Sequence, residues 1–282
     1  MWTILQVIPE LSAGGAERTT IEIAEAVAAE GGAALVASAG GRLEGELKAV
    51  GGELIRMDLA SKNPVAILAN AGRLTHLARE RGVQLIHARS RAPAWSALKA
   101  ATDAGLPFVT TYHGIYNEGF PGKRWYNSVM ARGDVVIANS HFTRAHILKT
   151  YPIDPARVVA IPRAVDLAVF DPARVPANRA QELRSAWGAP EGRLVAIVPA
   201  RLSRWKGQDL LIEAAARVEA KLPGKLFYVL AGDSQGRDEI VAMLEGLMLF
   251  SRRPGRTVLP RAEMTRLTRE LVLKLIDFNE AD

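Results

Sequence analysis

Short apolar runs alternate with longer amphipathic stretches along most of the chain. The runs are rich in Val, Ile and Leu, and most are apolar almost throughout, which is typical of strands buried on both faces of a parallel sheet. The stretches between them carry apolar residues at helical spacing, as Ile21, Ala24 and Ala28 do in the first. The predicted strands are 3–9, 34–39, 54–59, 84–88, 107–113, 134–140, 157–163, 193–200 and 225–233, and the predicted helices are 16–30, 64–81, 93–104, 141–150 and 207–222. This alternation predicts a doubly wound α/β fold.

The alternation stops between residues 164 and 193, in a stretch that holds three prolines. A second series then opens much as the first does, with a strand, a proline, a Leu-Ser loop containing glycine, and an amphipathic helix. We therefore predict two Rossmann-like domains whose strand ends meet at a cleft, where open α/β sheets bind ligands. The predicted boundaries are an N-terminal domain over 1–164, a hinge over 165–192, a partial second domain over 193–245 and a basic, helical tail over 246–282.

Composition excludes several classes of protein. The 282 residues include no cysteine, which excludes disulfides, thiolate nucleophiles and cysteine-bound zinc. The net charge of +6 is spread thinly along the chain, whereas nucleic-acid binders usually concentrate positive charge in a patch, so we do not expect nucleic acid as a partner. No apolar run approaches the ~20 residues of a membrane span, and the first residues lack the pattern of a signal peptide. We therefore expect a cytoplasmic protein, with contact at the inner face of the membrane left open.

Two loops between a strand and a helix are candidates for phosphate binding. The first, Ser12–Arg18, contains Gly14 and Gly15, and paired glycines let the backbone approach a ligand beside free helix N–H groups. The second, Arg201–Gly207, places Arg201 and Lys206 beside another helix start, where two cations suit a diphosphate. The alternatives are a tight turn for the first loop and a solvated basic loop for the second. The sequence has neither a G-x-G-x-x-G dinucleotide motif nor a P-loop, which argues against a dehydrogenase and a Walker-type ATPase.

The order of five motifs resembles a known family. GGAER, TYHG, NSHFTRAHI, IPRAVDLAVF and RLSRWKG follow one another as they do in family 4 of the retaining, nucleotide-sugar-dependent glycosyltransferases, which have the GT-B fold. The similarity covers about residues 1–245. It implies transfer of a sugar, with retention, from a nucleotide-diphosphate donor to a glycan or lipid-linked acceptor, in cell-envelope polysaccharide biosynthesis.

The resemblance also assigns roles to residues. Arg201 and Lys206 would contact the donor diphosphate, and Gly14 and Gly15 would form the loop that closes on the donor. His113 would lie next to the transferred sugar as the catalytic residue. A diphosphate held by Arg, Lys and helix ends needs no divalent ion, so we expect neither a metal nor another cofactor.

The acceptor side is less sharply defined. Glu17 is expected at the same cleft, and residues 112–126 hold five of the 17 aromatic residues, including Tyr116 and Trp125. With Lys123 and Arg124 nearby, these aromatics suit sugar stacking or a membrane interface. A loop fixed by its own side chains is an equally good interpretation.

The hinge motif departs from the family pattern. Arg163 and Ala164 replace the usual Asn-Gly, and alanine adopts a left-handed turn less readily than glycine. We interpret Asp166 as a capping carboxylate and Phe170 as a core aromatic. Ser140 is predicted to cap the helix that follows it rather than to bind a ligand.

The resemblance ends after about residue 245. The family's Gly-rich segment with two glutamates eight residues apart has no match, since Glu263 and Glu270 are seven apart with no glycine between them. We therefore expect an incomplete second domain, weak donor binding, and low or absent turnover. A non-catalytic remnant or binding module of the same fold is the second hypothesis, and a sugar-nucleotide epimerase is the third.

Overall fold

The computed structural model describes residues 2–12, 14–167, 169–200 and 206–231. The chain divides into two compact units, Met1–Val165 and Asp166–Asp282, which are called unit 1 and unit 2 below. Arg201, Glu263, Glu270 and the predicted tail over 246–282 lie outside the described residues.

Unit 1 is built on a parallel sheet of seven strands, with the order β3-β2-β1-β4-β5-β6-β7. The strands are β1 (Thr3–Val7), β2 (Ala33–Ser38), β3 (Gly52–Arg56), β4 (Leu85–Ala88), β5 (Phe108–Tyr112), β6 (Val135–Ala138) and β7 (Val158–Ala160). Each coincides with a strand predicted from the sequence. Strand order reverses between β1 and β4, which pair directly although two strands separate them along the chain. The α/β class predicted from the alternation is confirmed.

Helices connect the strands. They are α1 (Gly15–Ala29), α2 (Glu44–Ala49), α3 (Pro64–Glu80), α4 (Arg91–Ala104), α5 (Lys123–Asn127) and α6 (His141–Thr150) in unit 1, and α7 (Arg179–Ala186) and α8 (Gln208–Lys221) in unit 2. The five predicted helices are all present. The sequence pattern missed α2, α5 and α7; the last of these lies within the predicted hinge and has no buried residue.

The core of unit 1 lies on both faces of the sheet. Along β2, Leu35 and Ala37 pack into one hydrophobic cluster, whereas Ala34 and Val36 pack into another on the opposite face. Successive side chains of a strand point to opposite faces, so both sets must be apolar when helices cover both. This is why the strands read as continuous apolar runs.

Two loops of unit 1 are in close contact at the carboxyl edge of the sheet. The Leu11 N–H donates to the Gly40 carbonyl (2.9 Å), and the Leu43 N–H donates to the Leu11 carbonyl (2.9 Å). Gly41 lies between these contacts with φ at +152°. A Cβ atom at Gly41 would be 2.6 Å from the Leu11 carbonyl carbon, so this approach requires glycine. The β2–α2 loop thereby supports the β1–α1 loop that carries Gly14 and Gly15.

The structure agrees with the capping roles predicted for Ser140 and Asp166 but not with the core position predicted for Phe170. Ser140 caps α6, since its hydroxyl accepts a hydrogen bond from the Thr143 N–H (3.1 Å), as predicted. Asp166 Oδ1 accepts from the Val169 N–H (3.4 Å), which fits a capping carboxylate. The prediction for Phe170 is wrong, because its side chain is 67% exposed rather than in the core. The physical reason is that the described residues from 161 to 170 are exposed after the chain leaves the sheet at β7.

The described part of unit 2 contains a parallel pair of strands, β8 (Leu194–Pro199) and β9 (Leu226–Ala231), joined through α8. Phe227, Val229 and Ala231 form a small core with Trp187 and Val195 packed against it. The loop after β8 therefore leads from the carboxyl end of a strand to a helix N-terminus, as in unit 1.

Candidate functional site

Three loops of unit 1 follow strands that are neighbours at the reversal point of the sheet. Val7 at the end of β1 pairs with Ala88 at the end of β4, and Ala88 pairs with Thr110 in β5. Open α/β sheets bind ligands beyond the carboxyl ends of strands at this point. The residues that follow β1, β4 and β5 are therefore the first candidates for a binding site.

The loop after β1 ends in the two predicted glycines. Gly14 has φ at +139°, and α1 begins at Gly15 without a side-chain cap. The Glu17 carboxylate lies over Gly14, since a Cβ there would be 2.6 Å from Glu17 Oε2. Glu17 thus places a negative charge in the first turn of α1, where the helix dipole favours it.

Arg163 connects this loop to His113. The Arg163 Nη1 donates to the Gly15 carbonyl (2.6 Å), and Nη2 donates to His113 Nδ1 (2.6 Å). His113 comes directly after β5, and Arg163 follows β7. The residue that replaces asparagine in the family motif therefore joins two of the sequence-predicted site elements, a role that the sequence did not indicate.

The hydrogen bond fixes the protonation of His113. A guanidinium is only a donor, so Nδ1 must accept and the ring proton must be on Nε2. Burial, with the positive charges of Arg89 and Arg163, lowers the pKa of His113 to about 3. The imidazole is therefore neutral at pH 7. Its Nε2 atom is buried and has no hydrogen-bond partner among the described residues.

Arg89 follows β4 and was missed by the sequence analysis. Its side chain is 1% exposed, and its Nε and Nη2 atoms have no hydrogen-bond partner in the described part of the chain. Burial, then the charge of Arg163, lowers the pKa of Arg89 to about 9, so the guanidinium stays charged at pH 7. His87 lies close by, and burial and the charge of Arg89 hold the pKa of His87 well below its usual range.

The two predicted acceptor-side aromatics contact other aromatic rings. The Tyr116 ring lies against Tyr112, with 5.0 Å between centroids, and the Arg91 guanidinium lies 4.3 Å from its centre. Trp125 stacks on Trp95 at 4.6 Å, yet 63% of its side chain is exposed. The structure does not show either side chain in contact with Gly14, Gly15 or His113.

Of the predicted donor-side cations, the structure describes Lys206. It is exposed and precedes Gly207, which has φ at +78° and leads into α8 without a side-chain cap. Arg201 lies outside the described residues.

The described residues provide neither a cluster of metal ligands nor a helix that could span a membrane. In the part of the chain that the structure describes, no three His, Asp or Glu side chains are grouped closely enough to hold a metal ion. None of the helices formed by the described residues is both long enough and apolar enough to cross a membrane.

Curated proteins similar to this chain include D-inositol 3-phosphate glycosyltransferases. D-inositol 3-phosphate glycosyltransferases are 33% identical over 172 residues in Salinispora arenicola and 30% identical over 187 residues in Actinosynnema mirum. These matches cover 59% and 63% of this chain, but only 36% and 41% of the relatives. The chain thus matches about two fifths or less of their length.

Solved structures agree on the fold. A glycosyltransferase from Rickettsia africae ESF-5 is 33% identical with a TM-score of 0.76, and the alignment covers 98% of this chain and 68% of that one. Anabaena Alr3699/HepE in complex with UDP-glucose is 21% identical with a TM-score of 0.71, covering 94% of this chain and 71% of that one.

Two family patterns match successive parts of the sequence. Glycosyl transferases group 1 matches residues 179–250. Glycosyltransferase Family 4 matches residues 13–169, which is more than half of the chain. The matched part includes His113, Arg163 and the β1–α1 loop with Gly14 and Gly15, which is called the glycine loop below. The chain therefore belongs to Glycosyltransferase Family 4, a family of enzymes, and has the α/β architecture of GT-B glycosyltransferases.

Proposed function

We propose that this protein transfers a sugar, with retention, from a nucleotide-diphosphate donor to a glycan or lipid-linked acceptor in cell-envelope polysaccharide biosynthesis. The observation that carries the proposal is the neutral His113, which Arg163 links by hydrogen bonds to the loop of Gly14 and Gly15 at the reversal point of the sheet. Its Nε2–H can donate to a sugar hydroxyl without adding positive charge beside the reacting carbon. Membership of the family supports the reaction class.

In this mechanism the donor diphosphate is bound mainly by cations and helix ends. Arg201 and Lys206 hold the diphosphate, and their charges stabilise the negative charge that develops on it as the leaving group. Gly14 and Gly15 allow the backbone to approach the donor, and the exposed Lys206 beside the uncapped start of α8 is suited to this role. No metal ion is needed for these steps. Glu17, in the first turn of α1, is assigned to the acceptor side.

The proposed binding of a nucleotide-diphosphate donor is tested by calorimetry with UDP and GDP. UDP is included because Alr3699/HepE was solved with UDP-glucose. We expect binding of one of them, and a loss of about tenfold in affinity for Lys206→Ala and for Arg201→Ala, because each removes a charged hydrogen bond to phosphate. Lys221→Ala, which removes a lysine at the other end of α8, is the matched control and should bind as the parent protein does.

The absence of heat at millimolar UDP and GDP would contradict the donor-binding proposal. Binding of nucleotide without any turnover of UDP-sugars would instead support the binding-module hypothesis. Interconversion of UDP-sugars without an acceptor would support the epimerase.

We also propose that residues 113–127 contact an anionic membrane surface. Trp125 and Phe120 are exposed, by 63% and 61%, and they lie in one segment with Lys123 and Arg124. Exposed aromatic rings next to basic side chains are typical of proteins that bind at the lipid–water interface.

The membrane proposal is tested by co-sedimentation with vesicles of phosphatidylglycerol and phosphatidylcholine. We expect Trp125→Ala to reduce the bound fraction severalfold, because it removes the largest exposed ring of the segment. The control is Trp2→Ala, since Trp2 precedes β1 at the amino edge of the sheet. Equal binding by both variants would overturn the proposed surface.

A further inference from the structure

Arg89 is a fully buried cation without a matching anion among the described residues. Its side chain is 1% exposed, and its Nε and Nη2 atoms have no hydrogen-bond partner there. Arg163, His87 and His113 are near enough to interact electrostatically with Arg89, and none of them carries a negative charge. Glu22 on α1 is the acidic group with a resolved attractive effect on Arg89, and its side chain is exposed.

Such an arrangement is unfavourable in the free protein. Buried charges in folded proteins are normally paired, because removing an ion from water without a partner costs several kcal/mol. Unsatisfied buried groups of this kind are explained by strain, by a catalytic role, or by a water molecule or ion that completes their hydrogen bonds. The surroundings of Arg89 are therefore those expected of a residue that binds an anionic group.

The available donors fit an oxyanion with several oxygens. The Nε and Nη2 atoms of one guanidinium form a planar fork that matches two oxygens of a phosphate. Arg89 comes directly after β4, at the edge where sheets of this order bind ligands.

We propose that the guanidinium of Arg89 forms a buried subsite in unit 1 for a phosphate group carried by the acceptor. The assignment to the acceptor rests on the proposed function, in which Arg201 and Lys206 of the other unit serve the donor diphosphate. The acceptors would then be phosphate monoesters.

The test measures thermal shifts and calorimetry in a phosphate-free buffer, with inorganic phosphate, glucose 1-phosphate, glucose and UDP as probes. We expect inorganic phosphate and glucose 1-phosphate to raise the Tm of the parent protein, while glucose does not. Arg89→Met should lose this response and should have a higher Tm than the parent without ligand, since it removes an uncompensated buried charge. Arg89→Lys keeps the charge but not the fork, and should bind phosphate about tenfold more weakly.

Arg73→Met is the matched control, since Arg73 is exposed on α3. It should retain the phosphate response. UDP affinity should be the same in Arg89→Met as in the parent.

A parent protein that does not respond to phosphate, or an equal response in Arg89→Met and Arg89→Lys, would overturn the proposal. An equal loss of UDP affinity in the Arg89 variants would assign the subsite to the donor instead and would also overturn it. Failure of the donor-binding proposal is recognised separately, because in that case the parent protein gives no heat with either UDP or GDP.

Discussion

We expect Gly41→Ala to lower the free energy of unfolding by about 3 kcal/mol or more. Gly41 has φ at +152°, a conformation that L-residues adopt only under strain. The added methyl carbon would also lie 2.6 Å from the Leu11 carbonyl carbon and 2.8 Å from the Ser12 nitrogen. These are backbone atoms, and moving them would disturb the hydrogen bond from the Leu43 N–H to the Leu11 carbonyl.

The measurement is urea unfolding followed by circular dichroism. The matched control is Gly72→Ala, since Gly72 is an exposed position within α3 where an added Cβ would have no atom within 4 Å. Alanine is the better helix former, so this variant should be more stable by about 0.5–1 kcal/mol. The proposed close approach is wrong if both variants shift the urea midpoint in the same direction.

The second large effect is a loss of stability in mild acid caused by His113. Its pKa falls from an ordinary 6.5 to about 3 in the folded protein, chiefly through burial and then through Arg89 and Arg163. The unfolded chain therefore binds a proton between these values that the folded chain does not. Stability from this group is complete above pH 6.5 and is lost as the pH falls towards 3. Between pH 6.5 and about pH 4 the loss amounts to about 3 kcal/mol.

The variant His113→Gln isolates this contribution, because glutamine can still accept a hydrogen bond from Arg163 but does not titrate. We expect its free energy of unfolding to fall by about 3 kcal/mol less than that of the parent protein over the same pH interval. His76→Gln is the control, since His76 is exposed beside Glu80, and it should follow the parent curve. If His113→Gln loses stability as steeply as the parent does, the buried neutral imidazole is not the cause.

Much of the fold could be predicted because its strands and main helices bury long apolar surfaces. Within the described residues, all nine strands and five of the helices correspond to apolar runs or helical stripes in the sequence. The missed helices lack such a signal: α2 buries one residue, Leu47, and α7 buries none. The mistaken placement of Phe170 has the opposite cause, because an aromatic residue indicates a core position even where the chain leaves the sheet.

The site was only partly predictable for a topological reason. Gly14, Gly15 and His113 could be proposed because their loops follow strands and match family motifs. Arg89 could not, because its burial depends on β1 and β4 becoming neighbours across two intervening strands. A charged residue after a strand is ordinarily exposed, and nothing in a single sequence distinguishes the exception. The same holds for Arg163, whose partners are 50 and 148 positions away.

The bridge made by Arg163 also implies an order of events when the chain is synthesised. Gly15 leaves the ribosome 148 residues before Arg163, and His113 leaves it 50 residues before. Because domains generally begin to fold from the amino terminus during synthesis, β1, β2 and β4 can pair while the glycine loop still lacks its bridge. The long closure makes this a late contact, since distant partners meet slowly. The glycine loop and His113 are thus joined only after the last strand of unit 1 has been made.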